Sequence, residues 1–229
     1  MFPGGFDLEA AERVCAGEPL TVGALFDTLG RLVEKSIVVC EQDGRRYRML
    51  DTIREYGAEH LGLLGEQDEL RRRHRDYYLG LAEQAAVGSV GPEQVGWLVR
   101  LRQETPNLRV ALDYCYARPG QEVTGLRMTV LLRHYWLSLG LFTEGRRWHD
   151  RALAVGSDSP EAAWAVYGAG VLTLQQGDLE RAEPLLARAE DLAQDLRDRD
   201  LRAMSPMRKG SRRSSPGICR RRAPVMRRR

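Results

Sequence analysis

The beginning of the chain combines two helix-like patterns with a strand-like one. A short amphipathic helix is predicted from Leu8 to Cys15, and a core-facing helix is predicted between Val22 and Val33, where apolar residues recur three and four apart behind the N-cap candidate Thr21. The segment IVVCEQDGRRYRML then has two β-rich stretches around Asp43 and Gly44, a strong hairpin signal. Helix, helix and hairpin in this order predict a winged helix.

A further helix is predicted directly after the hairpin, from the junction Met49-Leu50-Asp51 onward. Asp51 or Thr52 can cap it, and Thr52 with Glu55 has the spacing of a capping box. The helix has an apolar stripe, whose members are Ile53, Tyr56, His60, Leu61 and Leu64.

The chain beyond residue 66 has helical periodicity. A long helix is predicted from Glu66 to about Ala86, and Gly88 and Gly91 end it. Pro106 follows Thr105, which predicts the first turn of another helix with Thr105 as its N-cap. The fold class is therefore predicted to be mainly α, with one small β-hairpin.

Residues 125 to 198 contain an internal repeat with an offset of 37 residues. At this offset Gly140 matches Gly177, Gly145 matches Ala182, Trp148 matches Leu185 and Ala152 matches Ala189. Helical pairs that repeat near 34 residues predict a solenoid, and the second unit fits the tetratricopeptide pattern better, with Gly170, Gly177, Ala182, Leu186 and Ala189 at the packing positions. Pro184 lies deep in the second helix of that unit, so a kink is expected there.

Charge divides the chain into two parts. The net charge is +3, but the last 23 residues hold ten Lys and Arg and no acid, so the rest carries 25 basic and 32 acidic residues, a net charge of −7. The segment after Leu201 has almost nothing to bury and is predicted to be a disordered, Arg-rich tail. This tail could bind a polyanion electrostatically, and an alternative is that its codons are read out of frame.

The composition points to a cytoplasmic protein without a membrane span or secretory signal. The four cysteines have no CxxC spacing, so we expect reduced thiols and neither a metal site nor a disulfide framework. No GxxxxGK[ST] motif and no catalytic constellation are present, so we expect neither catalysis nor a cofactor. The four histidines are interpreted as core or interface residues, and they are His60, His74, His134 and His149.

Three tryptophans allow two interpretations. Trp136, Trp148 and Trp164 could line a concave groove of the solenoid, and packing between helices explains them equally well. DNA binding by the predicted winged helix is disfavoured, because the charges on the outer face of its second helix, residues 21 to 35, sum to zero.

Five segments together resemble the region after the NTPase core in bacterial ATPase transcriptional regulators of the LuxR and AfsR type. They are GGFDLEAAERVCAG, LFDTLGRLVEKSIVV, RYRMLDTIREYGAEHL, LRRRHRDYYLGLAEQA and ETPNLRVALDYC, and the resemblance covers residues 2 to about 200. It implies a winged helix that packs on an NTPase domain, followed by tetratricopeptide repeats that sense a ligand or partner. Related NTPase switches carry a Met-His-Asp motif at the strand-to-helix junction, and Met49-Leu50-Asp51 resembles it with leucine in place of histidine.

The predicted organisation has four parts. Residues 1–64 form an N-terminally truncated winged helix, 65–118 a helical linker, 119–200 the repeats and 201–229 the tail. The predicted function is that of a non-catalytic regulatory and protein-interaction fragment, whose partner is an NTPase domain or another protein and which meets DNA only indirectly or through the tail. The alternatives are a DNA-binding winged-helix transcription factor and a truncated product with no independent function.

Overall fold

The computed structural model describes residues 1–41, 44–89, 91–156 and 159–196. The chain is mainly helical with one two-stranded antiparallel sheet, as predicted. It begins with α1 (Leu8–Cys15), α2 (Val22–Glu34), β1 (Val38–Cys40), β2 (Tyr47–Met49) and α3 (Asp51–Leu63). The Arg-rich tail and the turn residue Asp43 lie outside the described residues, so the predictions made for them stay predictions.

The N-terminal elements share a core of their own. Asp7 and Thr21 cap α1 and α2 through their side chains. Val38 pairs with Met49 across the hairpin, and a β-bridge joins Phe6 to Tyr47 along its other side. The buried members of this core come from the N-terminal segment, both helices and β1, and they are Phe6, Ala10, Ala11, Leu25, Leu29 and Val38.

Two long helices follow, α4 (Gln67–Gly88) and α5 (Gln94–Ala117), which pack against each other. The predicted helix start at Pro106 is wrong, because α5 runs through this proline without interruption. Pro106 has no N–H for the carbonyl of Arg102, four residues earlier. The Thr105 hydroxyl donates to that carbonyl at 2.8 Å instead. Thr105 therefore supplies a hydrogen bond that is missing inside α5, and it does not cap a new helix.

The last elements are α6 (Glu122–Leu131), α7 (Arg133–Ser138), α8 (Phe142–Leu153), α9 (Pro160–Gln175) and α10 (Leu179–Asp195). The 37-residue offset is visible in their boundaries, since α8 and α10 begin 37 residues apart and α7 and α9 end 37 residues apart. α9 packs between α8 and α10. α10 continues through Pro184, and the kink expected there stays a prediction.

The largest hydrophobic core lies where α4, α5, α6 and α7 meet the repeat helices. It joins Tyr78 of α4, Leu112 of α5 and Trp136 of α7 to Leu172 of α9. Because one apolar cluster runs from α4 to α9, the predicted linker and the predicted repeats share a core.

Candidate functional site

Large hydrophobic side chains are exposed mainly in one part of the chain. Of the thirteen exposed large hydrophobic residues in the described ranges, seven lie between residues 22 and 64. We call this set the α2–α3 apolar surface, and its members are Val22, Phe26, Val39, Leu50, Tyr56, Leu63 and Leu64. Exposed apolar residues that lie side by side, as Val22 and Phe26 do one turn apart on α2, are typical of a surface that contacts another protein or domain.

Helix α2 shows how the surface arises. Leu25 and Leu29 are both 7% exposed and face the core, whereas Val22 and Phe26, also four residues apart, are 52% and 59% exposed. Residues three and four apart lie on the same face of a helix, so these four residues form one apolar stripe, of which Leu25 and Leu29 are covered and Val22 and Phe26 are exposed. The sequence predicted one core-facing stripe, and the structure covers only part of it.

Helix α3 has no buried residue. The predicted stripe is only partly covered, since Ile53 and Leu61 are half-buried, whereas Tyr56 is 70% exposed and Leu64 is 59% exposed. The described packing partner of α3 is the start of α4, where the Gln67 side chain donates to the Ala58 carbonyl at 3.1 Å. The stripe has helical spacing, and the described residues leave most of it uncovered.

The junction Met49-Leu50-Asp51 differs from the predicted capping arrangement. Leu50 is the N-cap residue of α3 and makes no side-chain capping bond. Asp51 is the first helical residue, and its carboxylate pairs with Arg54 at 2.6 Å instead of bonding a backbone N–H. Met49 packs against the N-terminal core, as expected, while Leu50 is 61% exposed and belongs to the α2–α3 apolar surface.

A buried polar network that the sequence analysis missed fixes the hairpin to the long helices. Arg46 donates to the Glu104 carboxylate at 2.6 Å and to the Gly4 carbonyl at 2.8 Å. The side chains of Arg46 and Glu104 are both largely inaccessible to solvent. Tyr78 and Asn107 donate to the same carboxylate at 2.9 and 2.6 Å. Glu104 therefore accepts hydrogen bonds from three residues, one each from the β1–β2 hairpin, α4 and α5.

Burial and charge act in opposite directions on this network. Burial alone lowers the pKa of Arg46, but its hydrogen bond and charge contact with Glu104 outweigh burial and raise it. Burial, followed by the Glu104 charge, raises the pKa of Tyr78. Glu104 lies between Leu101 and Leu108 in the buried stripe of α5, and a carboxylate in an apolar stripe is the one signal that could have found the network.

Two of the four histidines are core residues, as interpreted. His74 is 1% exposed and His149 is fully buried, and the His149 Nδ1 lies 2.9 Å from the Gly145 carbonyl, which makes this nitrogen the donor. Burial lowers the pKa of His74 to about 3 and that of His149 to about 4. Neither His74 nor His149 makes a hydrogen bond through Nε2, so both are packing residues.

The predicted packing residues of the repeats lie at helix ends and at close contacts between helices. Gly140 and Gly177 end α7 and α9 with left-handed φ angles of 67° and 82°, which favour glycine. A Cβ on Gly170 would lie 2.8 Å from Leu186, so glycine allows α9 and α10 to approach closely. The other three predicted positions are buried alanines, namely Ala152, Ala182 and Ala189.

The tryptophans divide between the two interpretations. Trp136 and Trp148 are 1% and 8% exposed, so they pack between helices and do not line a groove. Trp164 on α9 is half-buried and lies under the guanidinium of Arg133 on α7, 4.6 Å from its ring centroid. Only Trp164 therefore retains a surface that a ligand could contact.

A polar cleft of about 330 Å³ lies between α1, α4 and α5. Two of its three arginines are already paired, Arg73 with Glu69 at 2.8 Å and Arg100 with Glu9 at 3.3 Å. Within the described ranges we find no cluster of three or more residues suited to a metal ion, and none of the described helices is both long and apolar enough to cross a bilayer.

Comparison with known proteins finds similarity to regulators. One relative is a Mycobacterium tuberculosis protein that is named as a proposed HTH-type transcriptional regulator. It is 37% identical over 155 residues, which are 66% of this chain and 17% of that protein. A protein of the same designation from Mycobacterium bovis matches to the same extent. An uncharacterized protein of Mycobacterium tuberculosis is 38% identical over 96 residues, 40% of this chain and 24% of that protein. The chain thus spans 17% of the length of the two regulators that it matches.

No protein-family model matches the chain, and no solved structure matches it.

Proposed function

We propose that the chain is a non-catalytic regulatory and protein-interaction part of a transcriptional regulator of the LuxR and AfsR type. The observation that carries this proposal is the α2–α3 apolar surface, which is exposed although the rest of the chain has an ordinary buried core. The similarity to relatives named as transcriptional regulators supports the regulatory role. The relatives are much longer than this chain, so they have further segments that such a surface could contact.

In this proposal residues 1–64 act as a winged helix. Helices α1 and α2 followed by the β1–β2 hairpin have the order that a winged helix requires, and α3 extends from the hairpin. Leu50, at the junction that resembles a Met-His-Asp motif, lies on the α2–α3 apolar surface, where an adjoining NTPase domain would contact it. Burial of a large apolar side chain in such a contact contributes roughly 1.5–3 kcal/mol.

Residues 119–200 act as tetratricopeptide-like repeats that recognise a partner. The 37-residue offset of the helix boundaries and the close approach of α9 and α10 at Gly170 support this assignment. Residues 65–118 link the two parts, and Arg46 with Glu104 couples them, because the pair joins the hairpin to α5. Partner binding at the repeats could then be reported to the winged helix through this connection.

The test measures binding of the full chain to the parts of the Mycobacterium tuberculosis relative that lie outside the matched region, by isothermal titration calorimetry. Phe26→Asp and Tyr56→Asp should each weaken binding about tenfold or more, because each places a charge in an apolar contact. Val95→Asp is the matched control, since Val95 is 71% exposed and lies outside the α2–α3 apolar surface. Equal binding by all three variants, or no binding by the unaltered chain, contradicts the proposal.

DNA binding is the second candidate, because the relatives are named as HTH-type regulators. The predicted recognition helix would be α2. Its exposed residues include the apolar Val22 and Phe26, and its exposed charges between residues 27 and 35 sum to zero, whereas a helix that reads a major groove needs basic and amide side chains. We therefore expect no sequence-specific duplex binding at physiological salt. Fluorescence anisotropy with the full chain and with a variant whose ten tail Lys and Arg are changed to Gln separates binding by the tail from binding by α2. Submicromolar binding by the variant favours the DNA-binding alternative.

A further inference from the structure

Five arginines in the described part of the chain lie over aromatic rings, and one of them differs from the others. They are Arg75, Arg100, Arg118, Arg133 and Arg151. Four also pair with a carboxylate, as in Arg75 with Asp76 at 2.7 Å, Arg100 with Glu9 at 3.3 Å and Arg151 with Asp113 at 2.5 Å, while Arg118 pairs with Asp68. Arg133 has no carboxylate partner among the described residues.

The Arg133 guanidinium is held in place by its ring contact and one hydrogen bond. It lies 4.6 Å from the centroid of the Trp164 ring, and its Nη1 donates to the Val130 carbonyl at 3.3 Å. A guanidinium has five N–H donors in a rigid fork, so most of its donors have no acceptor within the described protein. A planar fork with open donors is the geometry that binds a carboxylate through two parallel hydrogen bonds.

The surroundings of Arg133 also lack a compensating charge. The side chain is half-buried, and burial lowers its pKa, while Tyr167 opposes this shift. The other titratable neighbours are His134 and His149, and the positive charge of Arg133 contributes to the lowered pKa of each. The guanidinium is thus partly removed from water, which costs free energy for a charged group. At the other four stacked arginines a carboxylate offsets this free-energy cost, and at Arg133 none of the described residues does so.

We propose that Arg133, Trp164 and Tyr167 form a binding site for an acidic side chain of a partner protein. The carboxylate of an Asp or Glu accepts both hydrogen bonds of the guanidinium fork, and an apolar residue beside it packs on the two rings, which meet edge to face 5.8 Å apart. This inference rests on the proposed function, because it gives the chemical class of the partner that the repeats recognise.

A short acidic peptide segment fits this site better than a nucleic acid does. The site offers one cation between two half-buried rings, whereas binding of a phosphate backbone depends on several cations that neutralise successive phosphates. The chain outside its last 23 residues also has a net charge of −7, which disfavours the approach of a long polyanion.

The test selects a random dodecapeptide library against the full chain, against Arg133→Gln and against Arg151→Gln. Arg151 is the matched control, because it stacks on Tyr116 but already has its carboxylate in Asp113. Circular dichroism of all three proteins shows that each is folded. Peptides selected on the unaltered chain and on Arg151→Gln should be enriched in Asp or Glu next to an apolar residue, and should bind Arg133→Gln about tenfold more weakly.

Each other outcome overturns the inference. Selected peptides without acidic enrichment, or with the same affinity for Arg133→Gln, show that the repeats bind peptides in another way, and the proposed function then survives without this site. Failure to select any peptide counts against both the site and partner sensing by the repeats. If millimolar inorganic phosphate or single-stranded DNA displaces the acidic peptides from Arg133, the site takes phosphates and the carboxylate assignment is wrong.

Discussion

Helices α3 and α9 both carry apolar residues, in a narrow stripe on α3 and around most of α9, and they differ in how these residues are covered. None of the thirteen residues of α3 is buried, whereas nine of the sixteen residues of α9 are buried. α9 lies between α8 and α10, whereas among the described elements α3 packs chiefly on α4. An apolar stripe therefore shows which face of a helix can pack, and neighbouring helices determine whether that face is covered within the chain.

The exposed region is nevertheless firmly attached to the rest of the molecule. Arg46 on the hairpin and Glu104 on α5 form an ion pair whose side chains are 12% and 6% exposed. The β1–β2 hairpin, which carries Val39 and leads into α3 at Leu50, is thus fixed to the long helices. A surface that is both apolar and fixed suits a permanent contact with another domain.

The largest effect is expected from Glu104→Ala, which tests whether the hairpin depends on the helices. The substitution leaves the Arg46 guanidinium buried and removes the acceptor of Tyr78 and Asn107, so the free energy of unfolding should fall by about 3–5 kcal/mol. Urea denaturation measures this change. Asp113→Ala is the control, since it removes an exposed ion pair with Arg151 and should cost less than about 1 kcal/mol. Equal losses in the two variants contradict the structural role of Glu104.

The comparison of the two regions predicts unequal losses for the same chemical change. Leu172→Ala on α9 removes a fully buried side chain and should lower the free energy of unfolding by about 2–5 kcal/mol. Leu63→Ala on α3 removes one that is 85% exposed, so the change should stay within about 0.5 kcal/mol. Thermal denaturation of both variants measures the difference. A large loss in Leu63→Ala shows that α3 is covered, for example by a second copy of the chain.

Acid should destabilise the buried helical region through its histidines. The folded-state pKa values of about 3 for His74 and about 4 for His149 lie below the ordinary value of 6.5, so the unfolded chain takes up more protons below pH 6.5. The stabilising effect is complete above pH 6.5 and is lost as the pH falls toward about 4, at up to about 1.4 kcal/mol per pH unit for each histidine. Urea denaturation between pH 7 and pH 4.5 measures the slope.

His149→Gln provides the matched variant for this pH dependence. Glutamine keeps a donor for the Gly145 carbonyl but does not titrate, so the slope should be roughly halved while that of His74 remains. An unchanged slope assigns the acid sensitivity to carboxylates instead.

The smallest effect is expected at the end of α2, beside the exposed region. Ser36 has a φ of 56°, in the left-handed region, and Ile37 donates to the Leu32 carbonyl at 2.9 Å to close the helix end. Glycine adopts this conformation without steric cost, so Ser36→Gly should raise the free energy of unfolding by about 1 kcal/mol. Thermal denaturation measures the shift, and Ser89→Gly, at a residue with φ of −70°, should not show it. A decrease in Ser36→Gly contradicts the strain at this position.

Local signals predicted the elements better than they predicted the boundaries near proline and aspartate. Thr21 caps α2 as its position indicated, whereas Pro106 lies inside α5 because Thr105 donates to the carbonyl that the proline leaves without a donor. Asp51 pairs with Arg54 rather than capping α3. In both cases a side-chain bond one turn away decided between two local arrangements that the sequence permits equally.

The sequence alone determined the helices, the hairpin and the 37-residue repeat, because each depends on residues within a few positions or on a fixed backbone period. The tertiary structure decided which stripes are covered, that Trp136 is core, that Arg46 and Glu104 meet across 58 residues, and that Arg133 is without a carboxylate within the described ranges. These outcomes depend on contacts between residues far apart in the chain, and periodicity along the chain carries no information about which distant surfaces meet.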